Sequence, residues 1–594
     1  MAFSNGMRVV VVVAISFTAA AQQSESQKSA APSVSPNEIA ATASPSDSSL
    51  ALAKAASVKP ATDAPVTTMD DVVNRTILRE HALMDFLKSR NPLVETYLQD
   101  LKRDDLLGDV PKEDHYFLGR LDLGATADRR DYLSEGKSLQ QSLLGGFNKL
   151  LKVQYNPIGF SWMIFVDRDG FDRNHYDFKY VRREFLGDIR CLVFDVSPKK
   201  DAGRGRFLGR VWIEDQNYNI VRLNGTYAPR PKGSNYFFHM DSWRLNLVPN
   251  YWLPSYIYSE EGDFSYAQKS KVAFKAQTRI WGYNLKTEAK EDELTQLRVD
   301  AVKDDSASAQ DATPLEARRQ WQQQADDNVL ARLEQAGLLA PESDIDKILQ
   351  TVVNNLVITN NLELPLPVRT RMMLTSPLET LSVGNTIIVS RGLVDVLPDE
   401  SSLAIVLSHE LAHIVLGHNI ESKFAFSDRM LFSDEATYRN FGFRHSPEEE
   451  TAADAKAIEL LKNSPYAAKM DTGRLFLKQL SERAPSLGAL LTSRLGDSFV
   501  DSKGNLVRMS ALTSSGPALD MKKLDQIAAL PLGGRVKLNP WTDQVELTKS
   551  APVSIITARD KMPFEVTPFF PHLSRLNATG NDASTAAAIT TEPR

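Results

Sequence analysis

The spacing of apolar residues changes several times along this 594-residue chain, and each change marks a different kind of element. From Met69 to about Asp105, Val73, Ile77, Leu83, Met84, Leu87, Val94, Tyr97, Leu98 and Leu101 recur at helical spacing, broken once at Asn91-Pro92. That pattern predicts two helices joined at the proline, within a helical segment 69–110. Between about His115 and Leu285 the pattern turns to short runs of aromatic and β-branched residues: Phe160 to Val166, Phe185 to Val196, Phe207 to Ile213, Tyr218 to Leu223, Tyr236 to Met240, Tyr251 to Tyr258 and Val272 to Trp281. Turn formers separate them, namely Asp167, Asp169 and Gly170, Gly187 and Asp188, and Asn224 and Gly225. An antiparallel β domain over 111–287 follows. Helical spacing resumes at Leu315 to Ala336, and from Ser343 to about Leu487 the chain reads as helix, short strands, helix, helix. The fold class expected is α+β multidomain: an antiparallel sheet domain, then a mainly helical domain with a small sheet over 315–487. Residues 488–576 read as mixed structure.

The remaining segments lack these periods. Arg8, the apolar run Val9 to Phe17 and the small residues Ala19, Ala20 and Ala21 form the three-part pattern of a secretory signal peptide at 1–21. The stretch from Val9 to Ala21, about 13 residues, is short of the roughly 20 that a membrane-spanning helix needs, and no other run is long and apolar enough. The expectation is a chain exported to the periplasm or cell envelope, or secreted, without a spanning segment after cleavage and with peripheral membrane contact open to it. No cysteine stands near the cleavage point, which excludes lipid modification there. Residues 22–68, rich in Ser, Ala and Pro, and the polar stretch 288–314 read as linkers, and 577–594 as a disordered tail.

Composition changes this picture in two ways. Lys and Arg total 69 against 75 acidic residues, a net charge of -6, which argues against a dedicated nucleic-acid surface. The single cysteine, Cys191, excludes a disulfide within the chain and any multi-cysteine metal site, so a bound metal must rely on His, Asp or Glu.

The candidate chemistry lies in the segment that opens at Asp399, a potential helix N-cap after Pro398. His409 and His413 are one helical turn apart, so their imidazoles share a face about 6 Å apart and can converge on one ion. Glu410 is rotated about 100° from His409, placed to hold a water beside the ion without binding it. The flanking residues Leu403 to Leu407, Leu411 and Ile414 to Leu416 are apolar on nearly all sides, and a buried charged triplet is costly unless something pairs with it. His418 is five residues beyond His413, about 140° around, and cannot face the same ion while the helix continues; it reads as a helix C-terminal residue beside the dipole. A better third ligand is Glu450, in the first turn of a second helix opening at Pro447, with Asp454 one turn on and able to hydrogen-bond a histidine ligand. Glu448 and Glu449 read as a solvated acidic first turn.

Two resemblances bear on these residues. Thr386 to Leu393, Ser408 to His418 and Glu450 to Asp454, in this order, resemble the gluzincin metallopeptidases of the CAAX prenyl protease and HtpX-like family. That resemblance implies one Zn2+ held by His409, His413 and Glu450, Glu410 as catalytic base, and Asp454 as an auxiliary catalytic acid. The chain departs from the family in lacking spanning helices, which likens it to the soluble exported branch. It also carries Glu379 to Val383 where the family has an asparagine-alanine-phenylalanine stretch. Separately, Gly209 to Glu214 followed by Tyr218 to Arg222 resembles the hairpin of LolA-like half-barrels.

The function expected is a zinc-dependent endopeptidase hydrolysing exported or envelope proteins in quality control, with extended or unfolded polypeptides as substrates and no nucleic-acid partner. The strand Thr386 to Ser390 is expected at the edge of the small sheet, where it would pair with a substrate by main-chain hydrogen bonds. The alternative is a lipid or lipoprotein carrier or chaperone-like binding protein, in which the sheet does the work and the zinc site is structural or weakly active.

Overall fold

The computed structural model describes residues 66–122, 128–131, 157–167, 170–228, 238–261, 273–283, 313–418 and 441–576, the last less 502, 504, 521, 540–543, 549–553 and 562–563. The expected signal peptide, nearly all of both linkers and the tail lie outside the described residues. The chain divides into residues 1–74 and 75–594. Of the first unit, 66–74 are described. There Thr68 Oγ1 accepts the Asp71 N–H at 3.1 Å and Asp71 Oδ2 accepts the Thr68 N–H at 3.0 Å, a reciprocal cap for the helix α1 (Met69–Leu87).

The second helix expected after Pro92 is instead a strand, β1 (Leu93–Asp104). Its residues from Leu93 to Gln99 are all buried, so both faces are apolar or packed. A short continuous apolar run of that kind has no period by which to tell a strand from a helix. The strand enters a ten-stranded sheet whose order is β3-β2-β1-β10-β9-β8-β7-β6-β5-β4. The others are β2 (Gly108–Asp122), β3 (Asp128–Asp131), β4 (Tyr176–Leu186), β5 (Ile189–Pro198), β6 (Arg206–Glu214), β7 (Ile220–Ala228), β8 (Phe238–Val248), β9 (Tyr251–Glu261) and β10 (Ala273–Trp281). Every neighbouring pair is antiparallel.

Two details of the strand reading are corrected. Phe160 to Val166 is not a strand: Pro157–Trp162 is a short helix, α2, begun by a proline at its first position, and Phe160, Met163, Ile164, Phe165 and Val166 are buried behind it. Asn224-Gly225 is not a turn but the middle of β7. Gly225 lies opposite Gly209 of β6, a Cβ on Gly225 would come 2.7 Å from the Gly209 Cα, and the Phe207 ring covers both glycines. The glycines are there for close approach rather than for a turn.

The second half of the chain holds α3 (Pro314–Gln335), α4 (Asp344–Thr359), the strands β11 (Arg369–Met373), β12 (Thr380–Val383) and β13 (Thr386–Ser390), and then α5 (Arg391–Val396) and α6 (Glu400–Leu416). After these come α7 (Pro447–Lys462), α8 (Met470–Arg483), α9 (Gly488–Leu491), α10 (Ser510–Ser514) and the hairpin β14 (Val536–Leu538) and β15 (Val545–Leu547). A large antiparallel sheet followed by a mainly helical region with a small sheet is the architecture expected. The small sheet has the order β11-β13-β12, so Thr386 to Ser390 is its central strand, not its edge. Its five residues are all buried, and both sides of its backbone are taken by β11 and β12.

Buried polar contacts join the large sheet to this region. Arg391 Nη2 donates to Glu95 Oε2 of β1 at 2.7 Å, and Ser376 donates to the same carboxylate through N–H and Oγ. Asp114 of β2 accepts the Ala489 and Leu490 N–H groups at the start of α9. Gln99 exchanges hydrogen bonds with Phe564 O and Val566 N. No helix among the described residues is long and apolar enough to cross a membrane.

Candidate metal centre

Helix α6 begins where Asp399 Oδ1 accepts the Ser402 N–H at 2.8 Å and ends at Gly417, whose φ of 71° is the left-handed cap that glycine adopts without strain. Between them every residue from Ser401 to His413 is buried. Helix α7 is started by Ser446 and Glu449, which cap each other's N–H groups, with Pro447 in the first helical turn. Its Ala453 and Ala457 are wholly buried, small enough to bring α7 close to α6.

These two helices bring His409, His413 and Glu450 together. The two Nε2 atoms are 3.1 Å apart, Glu450 Oε2 is 3.4 Å from the first and Glu450 Oε1 3.2 Å from the second. The other ring nitrogens have partners of their own. His409 Nδ1 is 2.9 Å from Asp454 Oδ1, and His413 Nδ1 is 3.0 Å from His418 Nδ1. Asp454 therefore meets the far side of a histidine and not the convergence point. His418 is not simply a residue at a helix end. The helix stops at Leu416, Gly417 reverses the chain, and His418 lands against His413. Glu410 is wholly buried; its Oε1 accepts Thr380 Oγ1 at 2.7 Å and Arg508 Nη1 at 3.0 Å, while its Oε2 is buried without a hydrogen-bond partner.

Several residues here had no signal in the sequence pattern. Arg508 is buried and reaches Glu410, Thr380 and, through Nε at 3.2 Å, Glu450 Oε2. Its neighbour Met509 donates its N–H to Asp454 Oδ2 at 2.7 Å. The His445 ring stacks on His413 with centroids 3.6 Å apart, and its Nδ1 is 2.8 Å from Asp497 Oδ2. Glu379, where the family resemblance fails, is buried and accepts Arg494 and Leu495 N–H groups and the Ser493 hydroxyl. It thereby holds segment 493–496 beside β12, with Gly496 packed against Thr380 and Leu381.

Electrostatics follow from these contacts. Burial opposes the charged form of Glu410, but Arg508 and the two histidines outweigh it and hold the carboxyl below the usual range. Burial likewise opposes the charge on Glu450, and the histidines and Arg508 drive it far below. Burial and Arg508 oppose charge on His409, yet Asp454 and Glu450 lift it above the ordinary value; burial depresses His413. Two anionic carboxylates, one buried and one half-buried, thus share a site with imidazoles.

A zinc ion fits this donor set. With Nδ1–H given to Asp454, His409 presents a bare Nε2, facing the Nε2 of His413 at a distance that a bound cation stabilises. Two imidazoles and one carboxylate, with a fourth position left for water, is a catalytic zinc ligand set. His445, Glu450 and Asp497 form a second cluster of possible ligands. There the Arg508 guanidinium stands 3.2 Å from Glu450 and 3.7 Å from Asp497.

Residues 379–520, about a quarter of the chain, match the family described as Peptidase family M48. The match spans every site residue named above and supports a metallopeptidase. Comparison with curated proteins finds no match. Among solved structures, a LolA superfamily protein from Nitrosomonas europaea is similar at 10% identity and a TM-score of 0.19, over 36% of this chain and 93% of its own. A putative outer membrane lipoprotein-sorting protein domain from Vibrio parahaemolyticus is similar at 11% identity and 0.20, over 37% and 98%. A DUF1329 family protein from Desulfovibrio piger gives 9% and 0.16, over 36% and 93%. Likenesses this slight carry no reading of function.

Proposed function

We propose that this chain is a zinc-dependent endopeptidase that hydrolyses extended or unfolded polypeptides, and that it works outside the cytoplasm in protein quality control. The observation that supports it most is the convergence of His409, His413 and Glu450 within 3.4 Å of one another, beside a Glu410 whose second oxygen is buried and unpartnered. When bound, zinc supplies Lewis acidity to a peptide carbonyl and to water. His409, His413 and Glu450 would hold it, and Asp454 would keep the His409 ring in the tautomer that ligation needs. Glu410 Oε2 would take a proton from the attacking water and return it to the leaving amide nitrogen. The leader pattern at 1–21 supports export.

The test uses purified chain without residues 1–21 and casein as substrate. Cleavage should stop with a chelator and return with zinc, and Glu410→Gln should abolish it while zinc stays bound. Retained turnover in that variant would sink the assignment.

A further inference from the structure

Resting on the reading of His409, His413 and Glu450 as a metal centre, we propose that Arg508-Met509 is its positioning element, a two-residue clamp that sets the base, the carboxylate ligand and the carboxylate behind the first histidine at once. The side chain of Arg508 donates Nη1 to Glu410 Oε1 and Nε to Glu450 Oε2. One residue on, the main chain of Met509 donates to Asp454 Oδ2, whose Oδ1 meets His409 Nδ1. Three acidic groups from two helices are therefore referred to one rigid dipeptide.

The chemistry of the pair suits that task. A guanidinium is charged at any working pH and presents donors in a fixed fork, so it can hold two carboxylates at a set separation, which a lysine cannot. It is itself held from below by the Phe499 ring, 5.5 Å from its centre, and by Thr380 Oγ1 at 2.9 Å. Met509 has a φ of 56°, a left-handed conformation unfavourable for a residue with a side chain, and such conformations persist where surroundings over-determine them. In that conformation Met509 gives its N–H to Asp454 Oδ2. The clamp also accounts for the burial of charge: a buried and a half-buried carboxylate side by side need a cation that does not leave when the metal does.

The test reads metal binding first, so that it does not depend on turnover. Zinc affinity is measured by competition with a chromophoric chelator, and site geometry by the visible spectrum of the cobalt-loaded protein, for wild type, Arg508→Ala and Arg508→Lys. The clamp predicts zinc dissociation constants raised roughly 10- to 100-fold in the alanine variant, as for lost partners of metal ligands, a smaller rise in the lysine variant, an altered cobalt spectrum, and partial recovery of the alanine variant by added guanidinium. Unchanged affinity and spectrum in the alanine variant would overturn it, as would faster casein cleavage, which would make Arg508 an obstruction. If the alanine variant does not fold, unchanged zinc affinity in the lysine variant overturns it alone. Wild type that binds zinc but never cleaves would defeat the peptidase reading and leave the clamp standing.

Discussion

Glu450 and His418 both stand beside His413, but they meet different nitrogens of its ring. Glu450 Oε1 faces Nε2 at 3.2 Å, on the side where His409 converges, and His418 faces Nδ1 at 3.0 Å, on the side away from it. Glu450→Ala should therefore remove a ligand, and His418→Ala only a partner that orients one. Metal analysis should show Glu450→Ala losing more zinc affinity than the roughly 10- to 100-fold typical of orienting partners, with Asp454→Asn inside that range and His418→Ala at its low end. Zinc lost by the His418 variant and kept by the Glu450 variant would contradict this. Four of the five residues legible in the sequence owe that to the helical turn: His409 with His413, and Glu450 with Asp454, are each four apart and share a face, and Glu410 was read from its place next to His409. Arg508 was illegible because a loop delivers it, with no period linking position 508 to helices that end at 416 and 462. His445 was missed for a like reason, lying just before the α7 cap.

At the scale of elements, β13 was readable as a strand although all five of its positions are buried, and the longer strand β1 was not. The alternation in β7 turns Arg222, Asn224 and Thr226 outward, whereas β1 offers seven buried positions in a row and so imitates a helix. The junction between β2 and the short helix α9 is of interest because α9 leads into the segment that carries Arg508. Asp114 holds that junction from a buried position, and burial pushes its carboxyl up to about 6 in spite of three hydrogen-bond donors. An acid whose folded pKa lies above its unfolded value near 3.8 stabilises the fold fully below that value, and the contribution is lost as pH rises through 6. About two units at ~1.4 kcal/mol each make this roughly 3 kcal/mol. The difference in stability between wild type and Asp114→Asn, from urea unfolding, should thus shift by about that amount against wild type between pH 4 and 7. A pH-independent difference would show that the donors cancel the burial.

At the scale of the whole molecule, residues 488–576 were read from sequence as a mixed region following the catalytic domain, yet they are tied into both halves. The described residues of 493–509 line one side of the candidate metal centre, through Glu379, Asp497 and Arg508. Residues 564–576 bond to the sheet through Gln99, Asp188 and Asn246. Such pairings join residues from 52 to 467 positions apart and leave no local pattern, which is why the order of elements was legible and their assembly was not. The central claim is that one zinc ion binds where α6 and α7 meet. Anomalous diffraction at the zinc edge from crystals of the zinc-loaded protein tests it most directly. The account predicts one strong peak about 2.0–2.2 Å from His409 Nε2, His413 Nε2 and a Glu450 oxygen; a peak held by His445 and Asp497 instead, or none in protein shown to carry zinc in solution, would contradict it.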